Sequence, residues 1–156
     1  MNSSIVTITL MESEITDFWN SNFPKCSIIP AENINAVIKI KEHVKTAIIT
    51  NGSVKSQRGK IEHTKLDKLF EVIIISDEVG VSKPDVEIFK IALRKIDILP
   101  DNALFMGDRL DKDILGCQSA GIRGIWFNPN HFINDTDIKP FAEIHDFVEI
   151  LDYIDF

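Results

Sequence analysis

Four short runs of almost unbroken apolar residues divide the chain, over residues 46–50, 72–76, 103–106 and 124–127. A strand with one wet face alternates apolar and polar positions, so continuous runs predict parallel strands covered on both faces. Between the runs the apolar residues recur at helical spacing. Ile34, Val37, Ile38 and Ile40 precede the first run, and Ile61, Leu66 and Leu69 follow it. Ile88, Phe89, Ala92, Leu93 and Ile96 form one stripe behind Pro84, which the pattern places at the first helical position. Residues 114–120 read as a short helix ended by Gly121, and Phe147, Val148, Ile150 and Leu151 as a last amphipathic helix. Alternating strand and helix predicts an α/β fold, a doubly wound parallel sheet with right-handed crossovers. Residues 128–140 read as the most mobile loop, and no repeat or low-complexity tract appears.

Composition narrows the partners rather than the fold. The chain has 156 residues, 44% hydrophobic and 26% charged, which suits one globular domain with a real core. A formal charge of −7 with scattered Lys and Arg argues against a nucleic-acid groove. Cys26 and Cys117 have neither metal-ligand nor disulfide spacing, which suits a reducing compartment. No basic leader precedes a long apolar stretch, and no run approaches the roughly 20 residues of a membrane span. A cytoplasmic protein without membrane contact is expected.

The candidate chemistry stands where such a sheet keeps its ligands, at the carboxyl ends of the strands. Thr50, Asn51, Gly52 and Ser53 close the first run. Taken alone they read as a strand-to-helix turn with Ser53 as cap, but the hydroxyl and nearby backbone amides could also hold a phosphate oxygen. Lys83 sits in a Gly80–Asp85 turn, either a surface lysine or a cation for a phosphate and a neighbouring carboxylate. Asp108, Asp111 and Asp113 crowd three carboxylates into one turn, which is costly unless a cation or strong donors compensate. Hard oxygen ligands of this kind suit Mg²⁺, and the alternative is an acidic helix start. The spacing makes Asp108 the direct ligand, sets Asp113 one turn further on, and leaves Asp111 facing solvent.

Set in order, these segments resemble the haloacid dehalogenase-like hydrolase superfamily over about residues 30–128. Residues 48–52 look like its second motif, Lys83-Pro84-Asp85 its third, and Gly107-Asp108 through Asp113 with Ala120-Gly121 its fourth. The resemblance implies a Rossmann-like core with the cap domain missing or vestigial. It also implies Mg²⁺ as cofactor and a small phosphorylated metabolite as substrate. Lys83 and Thr50 would act in catalysis, Thr50, Asn51, Gly52 and Lys83 would bind phosphate, and Asp108 and Asp113 would serve the metal.

In that family an Asp-x-Asp pair ends the first strand, and its first aspartate attacks phosphorus. No such pair stands upstream of Thr50. Two readings of residues 1–29 follow, within a single core domain spanning 1–156. In the preferred one, residues 12–23, with Ile15, Phe18, Trp19 and Phe23 at helical spacing, are a cap-helix remnant and the first strand is missing. Its neighbours would then lack a partner, so the chain should fill the gap with residues 5–10, form a homodimer, or fold poorly. In the other reading, residues 5–10 are the first strand, and Glu12-Ser13-Glu14 stands where the aspartate pair belongs. The chain is accordingly expected to be a Mg²⁺-dependent phosphatase lacking its nucleophile. The alternatives are a non-catalytic remnant or interaction module that still binds Mg²⁺ or phosphate, and a natural protein that is longer at its N-terminus.

Overall fold

The computed structural model describes the backbone of residues 5–8 and the whole of residues 29–155. The Glu12-Ser13-Glu14 and cap-helix assignments fall outside the described residues. The first described element is a strand, β1 (Ile5–Ile8). Helix α1 (Ala31–Lys41) starts behind Pro30, carries Glu32 in its first turn and Lys39 and Lys41 in its last, and buries Ala36, Val37 and Ile40. That charge order complements the helix dipole. Strand β2 (Lys45–Thr50) leads to helix α2 (Val54–His63), where the Ser53 hydroxyl accepts the Ser56 amide at 3.3 Å, as the turn chemistry anticipates. Strand β3 (Val72–Ile75) runs directly into a single turn of helix, α3 (Ser76–Val79), closed by Gly80 at φ 75°.

Helix α4 (Val86–Ile96) is capped by Asp85, whose carboxylate accepts the Glu87 amide at 2.8 Å. Pro84 therefore precedes the cap rather than opening the helix, because Asp85 supplies the side-chain acceptor that Pro84 lacks. Strand β4 (Ala103–Gly107) is followed by a wide π turn (Leu110–Ile114) that flows into α5 (Leu115–Ser119), ended at Gly121 with φ 80°. After β5 (Arg123–Phe127) comes a strand the pattern did not reveal, β6 (Ala142–Ile144), too short for periodicity to register. The terminal segment (Phe147–Tyr153) is a 3₁₀ helix rather than an α-helix. Asp146 and Glu149 close its start in a reciprocal capping box.

Residues 128–140, expected to be mobile, are pinned at several points. The Asn128 side chain exchanges hydrogen bonds of 2.9 Å with both backbone groups of Phe132, and Gln118 donates to the Lys139 carbonyl at 2.6 Å. Among the described residues no helix is long and apolar enough to cross a membrane.

Among the described residues the six strands are all parallel, in the order β3-β2-β1-β4-β5-β6. Strand β1 is central, with Val6 opposite Thr46 of β2 and Leu104 of β4. Residues 5–8 therefore stand in the first-strand place, an outcome that both readings of residues 1–29 allowed.

Side chains alternate across the sheet. Ile48, Leu104, Met106 and Ile125 meet Val37, Ile40, Ile61 and Ile150 on one face. Ile49, Ile74 and Phe105 meet Ile88, Phe89, Ala92, Leu93 and Cys117 on the other. On that second face Phe89 and Phe105 pack edge to face, 5.1 Å between ring centroids, and Phe89 lies so close to Gly116 that a Cβ there would come within 2.5 Å of its ring. Phe89→Ala should remove about 3–5 kcal/mol of stability. Urea unfolding followed by circular dichroism will measure it.

Candidate active site

The carboxyl ends of β2 and β4, flanking β1, form one rim. Lys83 reaches it from the turn between α3 and α4, past a cis Lys83–Pro84 peptide. Its Nζ lies 2.7 Å from Asp113 Oδ1, with only 5% and 2% of the two side chains exposed. Asp113 arrives from the π turn after β4, and its Oδ2 accepts the Arg109 amide at 3.0 Å. Oδ1 has no aligned hydrogen-bond donor, so its contact with the lysine is one of charge rather than of a directed bond. Gly107 makes this approach possible: a Cβ at that position would sit 2.4 Å from the Cβ of Asp113. Lys83 Nζ lies over the Phe105 ring, 5.8 Å from its centroid, so the cation is held at an apolar floor.

Asp108 completes the acidic side. Burial, and after it the charge of Asp113, push its carboxyl up from an ordinary 3.8 to about 6, against an opposing pull from Lys83. The Trp126 indole donates to the Asp108 carbonyl at 3.0 Å and holds that backbone in place. Asp111 is turned away from this pair, as the spacing anticipated, and forms a two-pronged contact of 3.0 Å with Arg109 at the surface. The Arg109 hydrogen bond lowers the pKa of Asp111. Cys117, below the rim, is a buried thiol pushed up to about 12 by burial and by Asp113, and it takes no part in the rim.

The second-motif residues are present, but largely as scaffold. The Asn51 side chain donates to the Lys83 carbonyl at 3.0 Å and accepts the Lys83 amide at 2.9 Å. It thus clamps the lysine turn to the end of β2. The Gly52 amide donates to the Ser76 hydroxyl at 3.0 Å, so it too is engaged. Thr50 is buried, and its hydroxyl donates to Gln57 Oε1 at 3.1 Å. The pattern did not single out Gln57, Ser76 or Trp126. Gln57 and Ser76 are ordinary polar residues in helices, and Trp126 is hidden in an apolar run.

Two carboxylates face one ammonium at this rim, leaving one negative charge in a partly dry place. An oxygen with no directed donor and a carboxyl with a raised pKa are what a hard divalent cation would relieve. Asp108 and Asp113 therefore fit such an ion. Among the described residues no three His, Cys, Asp or Glu side chains converge to cage a metal, so other ligands would have to come from water or substrate. A separate hollow of about 480 Å³, lined by Leu93, Arg94, Ile98, Leu99 and Pro100 among others, lies where α4 ends and β4 begins, away from this chemistry.

The fold and the ordered rim define a hydrolase-type α/β core. Residues 4–127 match the family model of haloacid dehalogenase-like hydrolases, and the chain belongs to that family. It is 35% identical over 127 residues to a glyceraldehyde 3-phosphate phosphatase from Pyrococcus furiosus, covering 81% of this chain and 53% of the relative. It is 33% identical over 139 residues to the pyrimidine 5′-nucleotidase YjjG from Escherichia coli, covering 86% and 61%. The magnesium-bound structure of the HAD-hydrolase YfnB from Bacillus subtilis superposes with a TM-score of 0.75 at 27% identity, over 79% of this chain and 54% of that one. The chain thus spans about half the length of the curated relatives it matches.

The rim makes two measurable predictions. Removing the ammonium leaves Asp113 buried beside Asp108 with no cation, so Lys83→Met should cost about 3–5 kcal/mol in urea unfolding. In the folded chain Asp108 keeps its proton up to about pH 6, whereas unfolded it loses it near 3.8. Stability therefore falls as pH rises between those values, and the penalty is complete above 6. In metal-free buffer Asp108→Asn should melt higher than wild type at pH 7.5, with the gap closing below pH 4. Added Mg²⁺ should narrow the gap at pH 7.5 by raising wild type alone.

Proposed function

We propose that the chain handles phosphate monoesters of small metabolites in a Mg²⁺-dependent way, as a member of the phosphatase branch of its family. The observation that carries this is the buried Lys83–Asp113 contact at 2.7 Å beside Asp108. A lysine held this way can neutralise a transferring phosphoryl group, while the carboxylates are positioned for a metal. The phosphatase and nucleotidase names of the relatives support a small phosphorylated substrate.

Lys83 Nζ would lie along a phosphoryl oxygen, oriented by Asp113 on one side and by the Asn51 clamp on its backbone. The Thr50 hydroxyl would donate to a second oxygen. Asp108 and Asp113 would hold Mg²⁺, which when bound supplies positive charge against the phosphate oxygens. The apolar floor at Phe105 keeps water from screening the lysine.

One specific observation favours a second reading, binding without turnover. Strand β1 ends at Ile8, Thr9 follows it, and the first aspartate of the chain is Asp17. In the family the attacking aspartate ends that strand. A rim that keeps the lysine and acidic residues without that nucleophile would still grip Mg²⁺ and phosphate, as a binding or interaction module.

The test is turnover of an aryl phosphate with Mg²⁺, run beside equilibrium binding of inorganic phosphate. Hydrolysis reduced about a hundredfold or more by Asp108→Asn supports the enzyme. Phosphate binding with no hydrolysis supports the module. Failure of both measurements removes the phosphate reading altogether.

A further inference from the structure

Gln57 stands on the first turn of α2, and its backbone amide donates to the Ser53 carbonyl at 3.0 Å. Its side chain turns inward, leaving the residue only 6% exposed, and its Oε1 receives the Thr50 hydroxyl in a buried contact of 3.1 Å. The amide lies under the backbone of Gly52, where a Cβ would come within 2.6 Å of Gln57 Nε2. Gly52 also has φ +134°, a conformation side chains rarely adopt. Position 52 thus leaves space for an amide aimed at Thr50.

A threonine hydroxyl has one proton to give. Here its nearer acceptor is Gln57 Oε1 at 3.1 Å, with the Asn51 carbonyl at 3.4 Å. If Thr50 turned its proton to a phosphate oxygen, Gln57 Oε1 would be left against the lone pairs of Oγ1, a contact that a donor in its place would relieve. A glutamine amide has both groups at equal reach, and a half-turn about its last torsion exchanges Oε1 for Nε2. The NH₂ then donates to a lone pair of Thr50 Oγ1, and the hydroxyl proton swings to the anion. No covalent bond is made or broken.

We propose that Gln57 is a positioning residue that sets the direction of the Thr50 proton, acceptor-facing in the free chain and donor-facing when an anion binds. The proposal rests on the reading of Thr50 as a phosphate contact.

The experiment measures binding of inorganic phosphate with Mg²⁺ to the full chain by titration calorimetry, for wild type, Gln57→Met, Gln57→Glu, Thr50→Val and the double variant Thr50→Val with Gln57→Met. Melting curves without phosphate report any packing defect separately. Gln57→Met should weaken binding about fivefold, the scale of one lost hydrogen bond. Gln57→Glu keeps the shape but only accepts, so it should weaken binding more, about tenfold or beyond. On a Thr50→Val background Gln57→Met should add less than about a twofold loss, because Gln57 acts through that hydroxyl.

Unchanged affinity in both Gln57 variants, with only a lowered melting temperature, reduces Gln57 to scaffold and overturns the proposal. An equal loss from Gln57→Met with and without Thr50 also overturns it. Should Gln57→Met fail to fold, Gln57→Glu decides by whether its loss shrinks on the Thr50→Val background, since simple charge repulsion of the anion would not depend on that hydroxyl. A wild type that binds no phosphate, or a Thr50→Val that binds as well as wild type, removes the underlying reading of Thr50 and this proposal with it. The two failures are therefore distinguishable.

Discussion

Lys83 and Asp113 come from different crossovers of the sheet and meet in a space that excludes nearly all water. A buried ion pair is seldom the cheapest way to fill such a space, because desolvating both charges offsets much of their attraction. Breaking one is another matter, since it strands the remaining charge. The neighbouring structure is arranged around keeping this pair intact. Gly107 lets Asp113 approach the strand end, the Arg109 amide holds its second oxygen, and the Asn51 side chain ties the lysine turn to β2. Phe105 supplies the apolar floor. Remove the pair and each of these local choices loses its reason.

The pair also organises the electrostatics of the rim. One ammonium faces both Asp113 and Asp108, and burial first, with the Asp113 charge after it, raises the Asp108 pKa. A rim that carries surplus negative charge while directing an ammonium at the same point suits a ligand with both signs, a metal-bound anion. The relatives extend well beyond the stretch they share with this chain, and substrate identity is not written in the rim.

Sequence reasoning was strongest where one signal sufficed. Continuous apolar runs marked β2, β3, β4 and β5 to within a residue or so, because burial on both faces leaves no polar alternative. It was weakest at β1 and β6. Residues 5–8 include the polar Thr7 and form a short run, so the sequence offered them as a first strand without deciding it, and the pairing with β2 and β4 placed them. Strand β6 is three residues long and owes its existence to the edge of β5. The first helical residue was misjudged by two, Pro84 for Val86, since proline suits a first helical position and only the hydrogen bond from Glu87 to Asp85 marks the cap.

The linear order of residues determined the class of fold, the strand ends where polar groups collect, and the kinds of group found there, since periodicity and residue chemistry are local properties. What it left open was which groups would meet. That Asn51 embraces the lysine backbone, that the Thr50 proton faces Gln57, and that Asp113 rather than Asp111 pairs with Lys83 all follow from how separate crossovers pack onto one sheet. The hydrogen-bond partners and the dryness of a site depend on distances between segments remote along the chain, and those exist only once the strands have taken their order.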